Sequence, residues 1–368
     1  MLPLLRREPH LAATWSAALL AYFAHDAILA PAGAAIEWAR FAAFFAIILW
    51  GAFAVVRHAE ALAHHLGEPY GTLVLTLAVT VIEVAFIVTA MLGGREPELA
   101  RDTVFAIVMI TVNGIAGLCL LLGGLRHGEQ EQNLQGTRSY LAVIVPVSVL
   151  ALVLPNFTTS TPGPTLSVFQ SWILAVGILA LYAIFLAIQT SRLHRYFLDL
   201  HHAPAPPAAS HRIHEQPPGP PLVHAAILIL TLLPVIYLTE SLAQLTGRGL
   251  RTLGAPAALA GVVIASLVLA PEAMGALRAA MKNELQRAIN VSLGSALATV
   301  GLTIPTVLVF TAISGGGVPL GLAAEEMLLL LLTFLVAVFT FGGARTNVLV
   351  GSVHVLLFAV FIALIFDP

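Results

Sequence analysis

The chain has 368 residues, 59% of them apolar and only 10% charged, with 17 Lys and Arg against 19 Asp and Glu. Its mean hydropathy is +0.94. Soluble domains carry roughly a quarter charged residues, so this composition excludes a soluble globular protein and implies an integral membrane one. Run after run holds about 20 apolar residues, the length a helix needs to cross a bilayer, and the runs do not alternate as barrel strands would. The lone cysteine, Cys119, offers no disulfide framework and no thiolate metal site.

With Pro, Gly and charge clusters as punctuation, helices are predicted at 11–30, 36–57, 68–92, 101–125, 139–155, 166–191, 221–246, 254–281, 286–313, 322–342 and 345–366, eleven in all. The first follows Arg6 and Arg7. It lacks a small-residue cleavage site and more apolar runs follow, so it is expected to be a retained helix rather than a signal peptide. With the N-terminus inside, 12 of the 17 basic residues fall on the cytoplasmic side: Arg6, Arg7, Arg57, Arg126, Arg138, Arg192, Arg195, Arg212, Arg278, Lys282, Arg287 and Arg345. Arg40, Arg95, Arg101, Arg248 and Arg251 fall outside.

The long polar stretch after the sixth helix, 193–220, is rich in Pro, Ala and His (His194, His201, His202, His211, His214). It reads as a flexible cytoplasmic linker, with pH sensing or Zn2+ binding as alternatives. Setting residues 1–35 apart with the first helix leaves five helices before the linker (36–192) and five after it (221–368). Two homologous units of five would insert in opposite orientation, as inverted repeats. Before the linker "AEALAHHLGEP" (59–69) leads into the helix bearing Glu83; after it "TESLAQL" (239–245) and "LGAP" (253–256) lead into the helix bearing Glu272.

Glu83 interrupts "VTVIEVAFIV" (79–88), and Glu272 follows Pro271 in "SLVLAPEAMGAL" (266–277). A carboxylate inside a bilayer costs several kcal/mol unless protonated, paired or liganded, which makes each acid a candidate functional group. Proline removes a backbone donor and leaves carbonyl oxygens free to coordinate a cation. Acids at corresponding places in inverted repeats are expected to meet near the midplane, sharing a hard cation such as Ca2+ or each taking a proton. The helix after each acid carries small and hydroxyl residues: Thr111, Asn113 and Gly114 in the first half, Ser292, Gly294, Ser295 and Thr299 in the second. Their oxygens suit a cation shell, and their small size equally suits close helix packing. Glu60 and Glu240 are candidate ion-pathway acids, although acids at helix ends are commonly just solvated. His354, like His25 and Asp26, lies within a helix as a packing or relay group, and "SGGGVP" (314–319) is a turn.

Four stretches carry a family resemblance: "GEPYGTLVLTLAVTVIEVAFIVTAML" (67–92), "LLGGLRHGEQEQN" (121–133), "PVIYLTESLAQL" (234–245), and 253–305 around Glu272. From about residue 36 onward the chain resembles the cation/proton exchanger (CAX-like) branch of the calcium/cation antiporter superfamily. The resemblance implies an all-α polytopic bacterial inner-membrane antiporter, not an enzyme, that exports Ca2+ against protons. It places cation and proton binding on Glu83 and Glu272; the side-chain oxygens of Thr80, Asn113, Ser292 and Ser295 are expected as supporting ligands from their positions alone. Its partners would be membrane lipid and inorganic cations, with no nucleic acid and no permanently bound cofactor. The wider family writes Gly-Asn-Ala-x-Glu where this chain has "VTVIE" (79–83) and "VLAPE" (268–272). With fewer neutral oxygens, the site is expected to hold Ca2+ more weakly and to tolerate Na+ or K+. A proton-coupled carrier of organic solutes would call for basic or aromatic contacts inside the helices. An intramembrane enzyme would need a nucleophile with its base or a tight metal cluster, and no such motif appears.

Overall fold

The computed structural model describes residues 8–66, 70–92, 98–190, 194–197, 219–313 and 317–367. Among them lie eleven main helices: α1 Pro9–Phe23, α2 Ala34–Leu66, α3 Tyr70–Leu92, α4 Leu99–His127, α5 Leu134–Leu152, α6 Val168–Thr190, α7 Pro221–Leu253, α8 Leu259–Met281, α9 Leu285–Ile313, α10 Ala324–Thr340 and α11 Val348–Phe366. Eight are long and apolar enough to cross a bilayer: α2, α4, α5, α6, α7, α8, α9 and α11. Residues 67–69, Arg6, Arg7, Arg95, Arg192, Arg212, the histidines at 201, 202, 211 and 214, and 314–316 lie outside the described residues.

Three differences from expectation have physical causes. Instead of one helix over 11–30, α1 spans 15 residues, and a separate turn follows at His25–Ile28. The chain breaks at Ala24, just ahead of the polar pair His25 and Asp26. Helices α2 and α7 each run 33 residues, about 50 Å, past the charges at which the apolar count stops. Ala, Leu and Glu in "RHAEALAHHL" favour helix whether or not lipid surrounds it. The linker's first residues are not free chain: His194–Phe197 form a 3-10 turn, Phe197 is buried against Tyr140 and Phe185, and Asn290 donates to its carbonyl at 2.6 Å.

The helices fall into two compact units, each drawing on both halves of the chain: residues 1–99 with 216–271, and 100–215 with 272–368. In the first, α2 and α7 pack closely, and a Cβ on Gly51 would come within 2.6 Å of Val235 Cγ2. Their apolar faces, with those of α1, α3 and α8, form one core through Ile48, Val55, Ile82, Val235, Leu238 and Ile264.

In the second unit, α4 packs along α11, and a two-residue antiparallel ladder ties the adjoining loops: β1 Gln130–Glu131 pairs with β2 Arg345–Thr346. Gln130 reaches Ala280 O at 3.1 Å and His127 lies 3.0 Å from Met281 O. These bonds gather the loops that carry Arg126, Lys282 and Arg345 at one end of the unit. Gly321 N donates to Pro164 O at 3.0 Å and Leu322 N to Leu152 O at 2.9 Å, while Arg101 reaches Gly321 O at 3.3 Å. Arg101 thus belongs to a separate loop group. In the first unit Arg40 and Arg248 converge on the 28–30 carbonyls, whereas Arg57 pairs with Glu8.

Candidate ion-binding site

Glu83 sits in the middle of α3 with only 3% of its surface exposed. Thr80 is three residues earlier, hence on the same helical face, and is itself 4% exposed. Its hydroxyl donates to Thr76 O at 2.9 Å. With that proton committed, the Thr80 oxygen presents only lone pairs, the state a cation ligand requires.

In the second unit Ser295 on α9 donates to Glu272 Oε2 at 2.5 Å, a short charge-assisted bond. Ser292, one turn earlier and 1% exposed, donates to Ala288 O at 3.0 Å and likewise leaves its lone pairs free. Pro271 does not break α8, which runs on to Met281. The missing N–H leaves the Leu267 carbonyl without its usual helical donor. Replacing Ser295 with alanine strips Glu272 of that donor. A hydrogen bond to a charged group is worth about 1.5–3 kcal/mol, so Ser295→Ala is expected to weaken cation affinity at least about tenfold. Isothermal titration of the purified variant checks it, and unchanged affinity would remove Ser295 from the site.

Asn113 lies elsewhere in the same unit's bonding. Fully buried, it donates to Thr333 Oγ1 at 2.8 Å and to Met109 Sδ at 3.7 Å, and accepts at 2.8 Å from His354 Nδ1, whose Nε2 lies 3.0 Å from Thr340 Oγ1. Its amide protons and one oxygen lone pair are thus occupied by a buried polar network that sequence spacing gave no means to see. Glu60 on α2 and Glu240 on α7 are both exposed, and Gln244 donates to Glu240 Oε1 at 3.4 Å.

Two features escaped the sequence reading. Both α4 and α9 widen into a π-helical turn, at Ile110–Ile115 and Thr299–Thr303. Each turn begins 27 positions beyond the acid of the preceding helix, Glu83 or Glu272. Such turns are uncommon and cluster at functional sites, because they leave a carbonyl outside the regular ladder. The second feature is Thr103, fully buried, with a hydroxyl that has no hydrogen-bond partner among the described residues. It stands 20 positions after Glu83, as Ser292 stands 20 after Glu272. Aligning the two halves on their glutamates would have found it.

Apolar helices with an acid at each of two matched positions, with hydroxyl oxygens near the acids and matched π turns after them, suit an ion antiporter. The chain belongs to the sodium/calcium exchanger protein family, whose model matches residues 36–191 and 223–366. It is 44% identical over 320 residues to the putative ionic transporter y4hA of Sinorhizobium fredii, covering 86% of each chain. Against the sodium-potassium/proton antiporter ChaA of Escherichia coli it is 39% identical over 321 residues, 87% of this chain and 86% of that one. Its fold is similar to native YfkE, with a TM-score of 0.72, 18% identity, and coverage of 98% of this chain and 100% of that. The H+/Ca2+ exchanger CAX superposes with a TM-score of 0.69, 16% identity, and coverage of 97% and 88%.

Proposed function

We propose that this antiporter exports Ca2+, and also Na+ or K+, in exchange for protons, with Glu83 and Glu272 each alternating between cation and proton. The observation that carries the reading is the repeated unit of intramembrane glutamate, adjacent hydroxyls and π turn at equal spacing in the two halves. A carboxylate in a medium of low dielectric must be neutralised, and a proton and a metal cation compete for the same oxygens. The loaded forms are neutral enough to cross, whereas the empty, charged site is held back, so cation and proton move in opposite directions. Residues 36–192 and 221–368 act as inverted five-helix repeats, and the N-terminus is cytoplasmic in a bacterial inner membrane. The names of the relatives support coupling to protons but differ in cation: sodium and potassium for the Escherichia coli protein, Ca2+ for the Ca2+/H+ antiporter ChaA of Bacillus subtilis. Proteoliposomes loaded acid inside, with a trapped pH dye, separate the candidates when Ca2+, Na+ and K+ are added one at a time. Proton efflux is expected with Ca2+ and, at higher concentrations, with Na+ or K+. If no inorganic cation collapses the gradient, the reading fails.

A further inference from the structure

A second group of ligating side chains lies in the first unit, at the end where α1 begins, α2 finishes and α7 starts. Glu8 Oε2 is 3.4 Å from His10 Nδ1, and Glu8 Oε1 is 3.5 Å from His58 Nε2. One ligand atom from each residue lies within 4.8 Å of the others. A tetrahedral ion with bonds of about 2.0–2.1 Å holds its ligand atoms about 3.3 Å apart, so these separations already suit a shared metal.

The hydrogen bonds fix which nitrogens are free. Thr231 Oγ1 spends its proton on Ile227 O at 2.7 Å, so it accepts at 3.0 Å from His10 Nε2–H, and His10 Nδ1 keeps its lone pair. Arg57, always a donor, lies 3.2 Å from His58 Nε2, so that nitrogen also presents a lone pair. His58 Nδ1–H then donates to His224 Nδ1 at 2.9 Å. His224 is 92% buried and its Nε2 has no hydrogen-bond partner among the described residues. Two imidazole lone pairs and a carboxylate therefore face a common point and repel one another unless a cation stands between them. Arg57 fills that role here through its ion pair with Glu8, on a side chain 59% exposed and free to withdraw.

We propose that Glu8, His10 and His58 form a binding site for a divalent transition ion of the Zn2+ class, oriented by Thr231 and His224 and gated by Arg57. Two imidazoles and one carboxylate suit such an ion, whereas Ca2+ demands six or more oxygens, so the site is selective against the expected cargo. Thr231 and His224 are the outer hydrogen-bond partners that metal-bound histidines need to hold their tautomer. Bound metal would clamp the start of α1 to α2 and α7.

The test uses the full chain, purified in detergent without a histidine tag, stripped with chelator and titrated with ZnCl2 alone against a chromophoric competitor. One equivalent of Zn2+ is expected to bind tightly and to raise the melting temperature, with no such response to CaCl2. His58→Ala abolishes binding, Glu8→Gln weakens it at least about tenfold, and His224→Leu weakens it by roughly 10–100-fold. Arg57→Gln, which removes the competing cation, tightens it. Should His58→Ala fail to fold, the opposite responses of Glu8→Gln and Arg57→Gln carry the test. Binding also survives alanine at linker histidines 201, 202, 211 and 214, and Gln at both Glu83 and Glu272. No bound equivalent, loss on changing the linker, loss with the double Gln variant, or weaker binding in Arg57→Gln would each overturn the proposal.

Discussion

Glu272→Gln is expected to reduce cation-driven proton efflux from proteoliposomes by at least about 100-fold, and Glu83→Gln to do the same. The amide keeps the size of the carboxylate and still accepts from Ser295 Oγ, now at 2.5 Å from Glu272 Oε2, so the local structure survives. What disappears is the negative charge that the cation needs and the group that a proton can leave. In effect glutamine is the proton-loaded glutamate made permanent. Removing one partner of a buried charge pair costs about 3–5 kcal/mol, which corresponds to roughly 10²–10⁴ in affinity. Glu272→Asp retains the charge on a shorter stem and should keep part of the flux. Native rates in either Gln variant would show that the acids do not carry the ions. Cation flux without proton release would place the proton elsewhere.

The two acids were legible because a charge inside an apolar run stands out against everything around it, and most helix limits were legible because about 20 apolar residues meet a bilayer's thickness. The π turns were not. A single extra residue per turn changes nothing in a helix that is apolar on all sides, and α4 from Leu99 to His127 is largely buried. Asn113 looked like a free oxygen in sequence; only folding brings His354, 241 positions later, to occupy it. The Glu8, His10 and His58 group was invisible for the same reason. Each residue lies just outside a helix predicted from sequence, where polar side chains are ordinary, and His224 is 166 positions from His58. The linker was read by composition alone, which cannot register that Phe197 finds an aromatic pocket between Tyr140 and Phe185.

Gly351→Leu is expected to lower the melting temperature in detergent by roughly 6–12 °C, or to leave no monodisperse protein, because overpacking here costs about 3 kcal/mol or more. A Cβ on Gly351 would clash with Leu121 N and lie 2.8 Å from Leu120 C. These are backbone atoms of α4, so no rotamer change relieves the clash and the two helices must part. Lipid is as apolar as leucine, so membrane helices associate through close van der Waals packing and polar bonds rather than through apolar burial, and separation forfeits both. On the facing helix a Cβ on Gly117 would meet His354 Cβ at 2.8 Å, and one on Gly124 would meet Val348 N at 2.9 Å. The same seam holds His354 against Asn113 at 2.8 Å beside the π turn, so parting it strips the buried network of its partners. Gly177→Leu on α6 is the control: nothing lies within 4 Å of its added Cβ, and it should melt within about 1 °C of the native protein. Equal melting of the two variants would show that the α4–α11 seam is not closed by its glycines.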